Sequence, residues 1–238
     1  MTPSLSPQDS ATPRRRAVLA LTAAAAMAAG VPSARAATAP TVRPRAEEPP
    51  TAARALAELR AGNARFAALR QTHPHEDAVR RAAVAVSQHP FALILGCVDS
   101  RVPPEIVFDQ GLGDLLAIRS AGQALDEAVL GSIQFGVEEL GVPLVVVLGH
   151  ERCGAATAAV EYVRTGRPVE GHLARVVEEI APAARETRDQ PGDWVENTVR
   201  ANVALIRRRL ARDAAFDRAL IVGARFDLDT GKVAFHPS

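Results

Sequence analysis

Two unbroken apolar runs, Phe91-Ala-Leu-Ile-Leu-Gly96 and Leu144-Val-Val-Val-Leu-Gly149, constrain this chain more than any other feature. Neither alternates with polar residues, so each predicts a strand buried on both faces. Leu115-Leu-Ala-Ile118-Arg119 and Ala219-Leu-Ile-Val-Gly223 are two further candidate strands. Helical periodicity fills the gaps between them. Asp126 can cap a helix through Leu140, with Leu130, Ile133 and Val137 on one face, and Gly141-Val-Pro stops it. Apolar strands alternating with helices predict an α/β fold, with a mostly parallel central sheet of about four parallel strands plus an edge strand, flanked by helices. Val233-Ala-Phe235 supplies that edge, making Phe226 to Phe235 a hairpin around Asp229-Thr-Gly231-Lys. Such sheets carry function at the carboxyl ends of their strands.

Those ends hold the chemistry. The first run leads into Cys97-Val-Asp99-Ser-Arg101 and the second into His150-Glu-Arg-Cys153-Gly154. Cys97, Asp99 and Arg101 share a side if the chain stays extended, and His150 and Cys153 share a face as a helix begins. Thiolate and imidazole are zinc donors, and a catalytic zinc site uses three protein ligands plus an open position. Cys97, His150 and Cys153 would supply the three. Asp99 then has two possible roles, as a fourth ligand closing the site or as the partner of Arg101 beside water. Cys97 and Cys153 are the only cysteines, and in an exported protein a disulfide is the default expectation for such a pair. Three features favour metal: the buried strands that precede both cysteines, the spacing of His150, and the acid and base beside Cys97.

Export itself is read from the first 36 residues. Arg14-Arg15-Arg16 precede Ala17-Val-Leu-Ala-Leu-Thr and an alanine-rich run, which ends at Ala34-Arg35-Ala36. That is the layout of a secretory signal, and Arg15-Arg16-Ala17-Val18-Leu19 is similar to a twin-arginine motif. The apolar run falls short of the ~20 residues that span a bilayer, so no membrane span is expected after cleavage. Residues 37–50 read as a flexible linker and 51–238 as the catalytic domain. Within the domain, a first amphipathic helix from Thr51 is expected to break near Gly62-Asn63. His73-Pro74-His75 reads as a solvated prolyl turn. A formal charge of +1 gives no reason to expect a nucleic-acid partner.

Taken together, these segments resemble a bacterial β-class carbonic anhydrase. Cys97-Val-Asp-Ser-Arg-Val-Pro-Pro-Glu-Ile-Val-Phe-Asp-Gln-Gly-Leu-Gly-Asp-Leu is similar to its first signature, and Gly149-His-Glu-Arg-Cys-Gly-Ala to its second. Gly62-Asn-Ala-Arg-Phe66 and Gly223-Ala-Arg-Phe-Asp-Leu-Asp-Thr-Gly-Lys extend the likeness from Thr51 to Phe235. The resemblance implies one Zn2+ per chain on Cys97, His150 and Cys153, with Asp99 and Arg101 as a gating dyad. It implies reversible hydration of CO2 to bicarbonate and a proton by zinc-bound hydroxide. Gln88, Gly154, Leu116, Phe135 and Ala121 would line the substrate pocket. It also implies a homodimer or higher even oligomer with the pocket at the subunit interface.

The sequence departs from the family pattern in places. Leu116 and Phe135 stand where Phe and Tyr are common. Ile94 replaces the tryptophan of an inhibitory bicarbonate site, although the arginine of that site is present as Arg119. His73 and His89 are the candidates for a proton shuttle. CS2 or COS hydrolysis on the same zinc scaffold, and a non-catalytic domain with structural zinc or a Cys97–Cys153 disulfide, remain alternatives at this level.

Overall fold

The computed structural model describes residues 50–236; the expected signal segment and all but the last residue of the linker lie outside them. The five strands are β1 (Ala92–Gly96), β2 (Leu115–Arg119), β3 (Leu144–His150), β4 (Leu220–Phe226) and β5 (Val233–His236), in the order β2-β1-β3-β4-β5. The first four are parallel, and β5 returns antiparallel to β4 as the hairpin. Every residue of β1 and β3 is buried. That is why both runs are apolar throughout, whereas β2, with one free edge, buries only part of each side chain.

Side chains alternate between two cores. Ile94, Val146, Leu148, Val222 and Phe226 face one side, where they meet Ala55 and Leu59 of α1 (Ala52–Ala67) and Val107 of α3 (Pro104–Val107). Leu93, Leu95, Val145 and Val147 face the other. There they meet Ile133 of α4 (Glu127–Gln134) and Val203, Ile206 and Leu210 of α7 (Trp194–Leu210). Truncating any one of these fully buried leucines or isoleucines to alanine costs ~2–5 kcal/mol. The remaining helices are α2 (Ala78–Val84), α5 (Gly154–Thr165) and α6 (Leu173–Glu186).

Asp126 caps α4 as expected, its carboxylate accepting from Val129 N at 2.8 Å. The helix does not continue regularly to Leu140. It widens into a π turn over Phe135–Glu139, where Gly136 lies so close to the sheet that a Cβ there would fall 2.7 Å from Leu116 and 2.8 Å from Leu93.

The break expected at Gly62-Asn63 is absent, and α1 runs through it. Gly62 is there for a close approach: a Cβ would lie 1.8 Å from the carbonyl oxygen of Phe108. Asn63 is buried and donates to Val107 O (3.1 Å) and Gly231 O (2.9 Å), while its own oxygen accepts from Val233 N (2.8 Å). Both residues look like helix breakers in isolation. Their work is tertiary.

Candidate metal centre

β1 and β3 are neighbours in register, with Gly96 opposite Leu148. Their carboxyl ends therefore release Cys97 and His150 side by side. His150, the last residue of β3, is completely buried. Its Nδ1 lies 2.9 Å from the carbonyl oxygen of Glu151. A carbonyl only accepts, so Nδ1 carries the hydrogen and Nε2 presents a bare lone pair. Nε2 has no hydrogen-bond partner among the described residues.

Beyond His150 the chain turns through Arg152, at φ +50°, and places Cys153 at the position just before α5. Both cysteines are free and buried, Cys97 at 5% exposure and Cys153 at 3%. One ligand atom from each of Cys97, His150 and Cys153 falls within 4.8 Å of the others. The neighbouring Cys153, together with the Gly122 amide, draws the Cys97 thiol below its ordinary range against the opposing effect of burial. The nearby Cys97 sulfur and burial push Cys153 up. An orphaned imidazole nitrogen and two buried sulfurs fit a zinc ion, which would make thiolates of both cysteines.

Asp99 and Arg101 meet by a turn rather than by extended chain, since Val102 N bonds back to Asp99 O at 3.1 Å. Asp99 Oδ1 accepts from Arg101 N (3.0 Å) and Nε (2.9 Å), and Oδ2 accepts from Nη2 (2.8 Å). Those bonds hold the Asp99 carboxyl well below the usual carboxylate range. Its Oδ2 stands 3.9 Å from His150 Nε2, beside the three-ligand group and turned toward Arg101.

Several supports act through bonds that the sequence does not reveal. Arg119 at the end of β2 donates to the carbonyls of Cys97 (2.8 Å) and Asp99 (2.6 Å), clamping the turn that carries both. Ile94 is fully buried in the core within β1. Glu151 is held by Arg225 at 3.1 Å and by Leu228 N at 3.1 Å. Arg225 also reaches Glu196 at 2.8 Å and Asp227 at 2.9 Å. Arg152 forms a fork with Asp229 at 2.9 and 2.7 Å. The second acidic group, Glu151, Asp227 and Asp229, is thus neutralised by arginines and serves to brace the His150–Cys153 turn.

A family model described as carbonic anhydrase matches residues 92–233, and those residues include both strand ends. The chain belongs to the β-class carbonic anhydrase family. It is 41% identical over 184 residues to carbonic anhydrase 2 of Mycobacterium tuberculosis, covering 73% of this chain and 87% of the relative. To the carbonic anhydrase of Mycolicibacterium smegmatis it is 40% identical over 182 residues, covering 74% and 88%. Its fold is similar to that of a tetrameric β-carbonic anhydrase from Sordaria macrospora, with a TM-score of 0.59, 22% identity, and 65% and 84% of the two chains covered. The Coccomyxa β-carbonic anhydrase solved with acetazolamide gives a TM-score of 0.58 at 21% identity, with 75% and 83% covered.

In this carbonic anhydrase the expected pocket residues fall into two groups. Gly154 opens α5 next to Cys153, and Ala121 precedes Gly122, whose amide bonds the Cys97 sulfur. Gln88, Leu116 and Phe135 are not brought there. Gln88 is exposed ahead of β1, so the whole strand, ~17 Å long, separates it from Cys97. Leu116 pairs with Leu93, four residues short of Cys97 in sequence, and Phe135 is 51% exposed at the end of α4. His89 is exposed at the same end as Gln88. His73 is drawn into the turn around Asp109, which accepts its backbone N–H at 3.0 Å.

Proposed function

We propose that this protein catalyses the reversible hydration of CO2 to bicarbonate, with one Zn2+ per chain held by Cys97, His150 and Cys153. The observation that carries this reading is the bare, buried Nε2 of His150 between two free cysteines, with the Asp99–Arg101 pair beside it. Zinc, when bound, supplies a Lewis acid that brings water ionisation down to ~7. The protein supplies the rest. Because Arg101 keeps Asp99 ionised, Asp99 can only accept hydrogen bonds. Asp99 would therefore hold a nearby water or hydroxide by accepting its hydrogen, which would orient that oxygen for attack on CO2. Arg101 keeps Asp99 from closing over the three ligands, so the site stays open to substrate.

The active assembly is a homodimer or a higher even oligomer. Support comes from the division of the pocket residues: Gln88 precedes β1 and Leu116 lies near the start of β2, both at the amino end of the strands toward the sheet edge that β2 forms, and Phe135 is half-exposed after α4. A second copy packed on that side would bring its Gln88 to the centre, where the side-chain amide can donate to bicarbonate.

Export through the twin-arginine route to the periplasm or beyond the cell is part of this reading, supported by Arg15-Arg16-Ala17-Val18-Leu19 and Ala34-Arg35-Ala36. Among the described residues no helix is long and apolar enough to cross a membrane. Residues 51–238 form the catalytic domain.

The test is CO2 hydration by stopped flow across pH, with zinc quantified on the same sample and sulfide release from CS2 and COS assayed in parallel. Hydration scaling with zinc content supports the reading. Sulfide release without hydration, or hydration without zinc, refutes it.

A further inference from the structure

After β2 the chain makes one tight 3-10 turn, Ala121–Gln123, with Gly122 at φ 59° and ψ 26°. Only glycine fits: a Cβ would lie 2.4 Å from Ile180 and 2.9 Å from the Ala155 side chain. This conformation aims the Gly122 N–H at the Cys97 sulfur, 3.3 Å away. Two buried amides hold the turn from opposite sides. Gln123 Nε2 donates to Leu148 O on β3 at 3.0 Å. From α7, 80 residues on in sequence, Asn202 Nδ2 donates to the Gly122 carbonyl at 2.9 Å.

Asn202 is 5% exposed. Val195 and Val199 of the same helix pack on Cys97 and Cys153, so the stripe Val195, Val199, Asn202 follows helical spacing and faces the metal centre. An amide in that stripe is costly unless it is hydrogen-bonded. Its bond to Gly122 therefore calls for a purpose that a leucine could not serve.

We propose that Asn202 is a positioning residue for the metal centre: by gripping the Gly122 carbonyl it keeps the Gly122 N–H on the Cys97 sulfur. An N–H bonded to a thiolate draws charge from the sulfur, and outer-shell bonds of this kind set ligand orientation and metal affinity. Removing the grip frees the turn and strands a buried carbonyl. The inference rests on the metal assignment proposed above.

The test compares the full-length wild type with Asn202→Leu and Thr198→Val. Thr198 is buried one turn earlier on α7, bonding Trp194 O at 2.8 Å and Thr187 at 3.2 Å, and has no bond to the Gly122 turn. The readouts are zinc affinity by chelator competition, the energy of the thiolate-to-metal charge-transfer band after cobalt substitution, and the melting temperature of the metal-free chain. Asn202→Leu is expected to bind zinc about 10- to 100-fold more weakly and to shift the cobalt band. Thr198→Val is expected to lower the melting temperature and leave both metal readouts alone. Wild-type zinc affinity and an unshifted band in Asn202→Leu overturn the proposal, as do equal metal changes in Thr198→Val. A measurement on the wild type does not depend on either variant folding: with NMR-active cadmium in the site, the Gly122 amide proton should show scalar coupling to the metal through the sulfur. Absence of that coupling in a cadmium-loaded protein overturns the proposal. Failure of the wild type to bind any metal instead refutes the assignment beneath it.

Discussion

Arg101 grips Asp99 at three points, through its backbone N–H, Nε and Nη2, and no other side chain bonds that carboxylate among the described residues. Arg101→Ala therefore releases Asp99 to turn toward the three ligands. A misplacement of that kind costs on the order of 100-fold in rate. CO2 hydration should fall by about that factor, with the melting temperature and zinc content unchanged. Full activity would contradict the gating role.

Metal removal should act on all three donors at once. A chelated wild type should release one zinc per chain and expose both cysteines to thiol reagents, whereas the loaded protein should react slowly at either. Cys97→Ser and Cys153→Ser should each retain less than about a tenth of the zinc, because a hydroxyl does not ionise to replace the thiolate. Zinc analysis with thiol titration measures this directly.

Asp109 ties the turn after α3 to the segment that follows α1. Its side chain is 1% exposed. Burial alone would raise its pKa, but hydrogen bonds from Arg65, Thr72 and His73 outweigh that and bring it from 3.8 to about 2. A depressed folded-state value contributes stability above the unfolded pKa and loses it as pH falls. The loss should run from about pH 4 to about pH 2 and amount to roughly 2 kcal/mol. Asp109→Asn should be destabilised by about that much at pH 7, with the gap to wild type closing near pH 2. Denaturant melts of both proteins along that range test it, and comparing the two cancels the acid sensitivity of the metal itself. A gap that does not depend on pH would show that ionisation is irrelevant.

Gly62→Ala should be among the most damaging single-methyl changes in the chain. Nothing flexible stands opposite, only the Phe108 carbonyl at 1.8 Å from the added carbon. Either α1 or the turn after α3 must move, at a cost of more than about 3 kcal/mol. Gly131→Ala, where nothing lies within 4 Å, is the control and should be neutral or slightly stabilising. Thermal melts of the two should differ widely.

What could be read from the sequence follows from the range of each interaction. β1 and β3 are legible because burial on both faces writes itself into consecutive residues. The Asp126 cap is legible because its partner, Val129, is three residues away. Cys97, His150 and Cys153 are legible by type and by position at strand ends. Asn202 and the clamping role of Arg119 are not, because a buried amide and a strand-end arginine do not reveal such bonds until their partners, 80 and 22 residues distant, are known. Gly62-Asn63 misleads for the same reason. Local propensity says break, and contacts 44 to 170 residues away say continue. The split of Gln88 and Phe135 from the metal group is a matter of which end of the sheet each occupies, and spacing alone does not encode that.

The bond between Asn63 and Val233 has a bearing on how the protein is made. It joins the first helix of the domain to its last strand across 170 residues, and Asn63 also holds Gly231 in the preceding turn. β5 is the last of the described elements to emerge during synthesis, so this bond closes after α1 already has Ile94, Val146 and Val107 to pack on. The sheet centre, with Cys97 and His150 already on β1 and β3, can assemble while that outer latch is still open. Closing a contact of such long range is slow compared with forming helices. A chain cut just before Val233 would keep its metal donors and lose the fastening that shuts the domain around them.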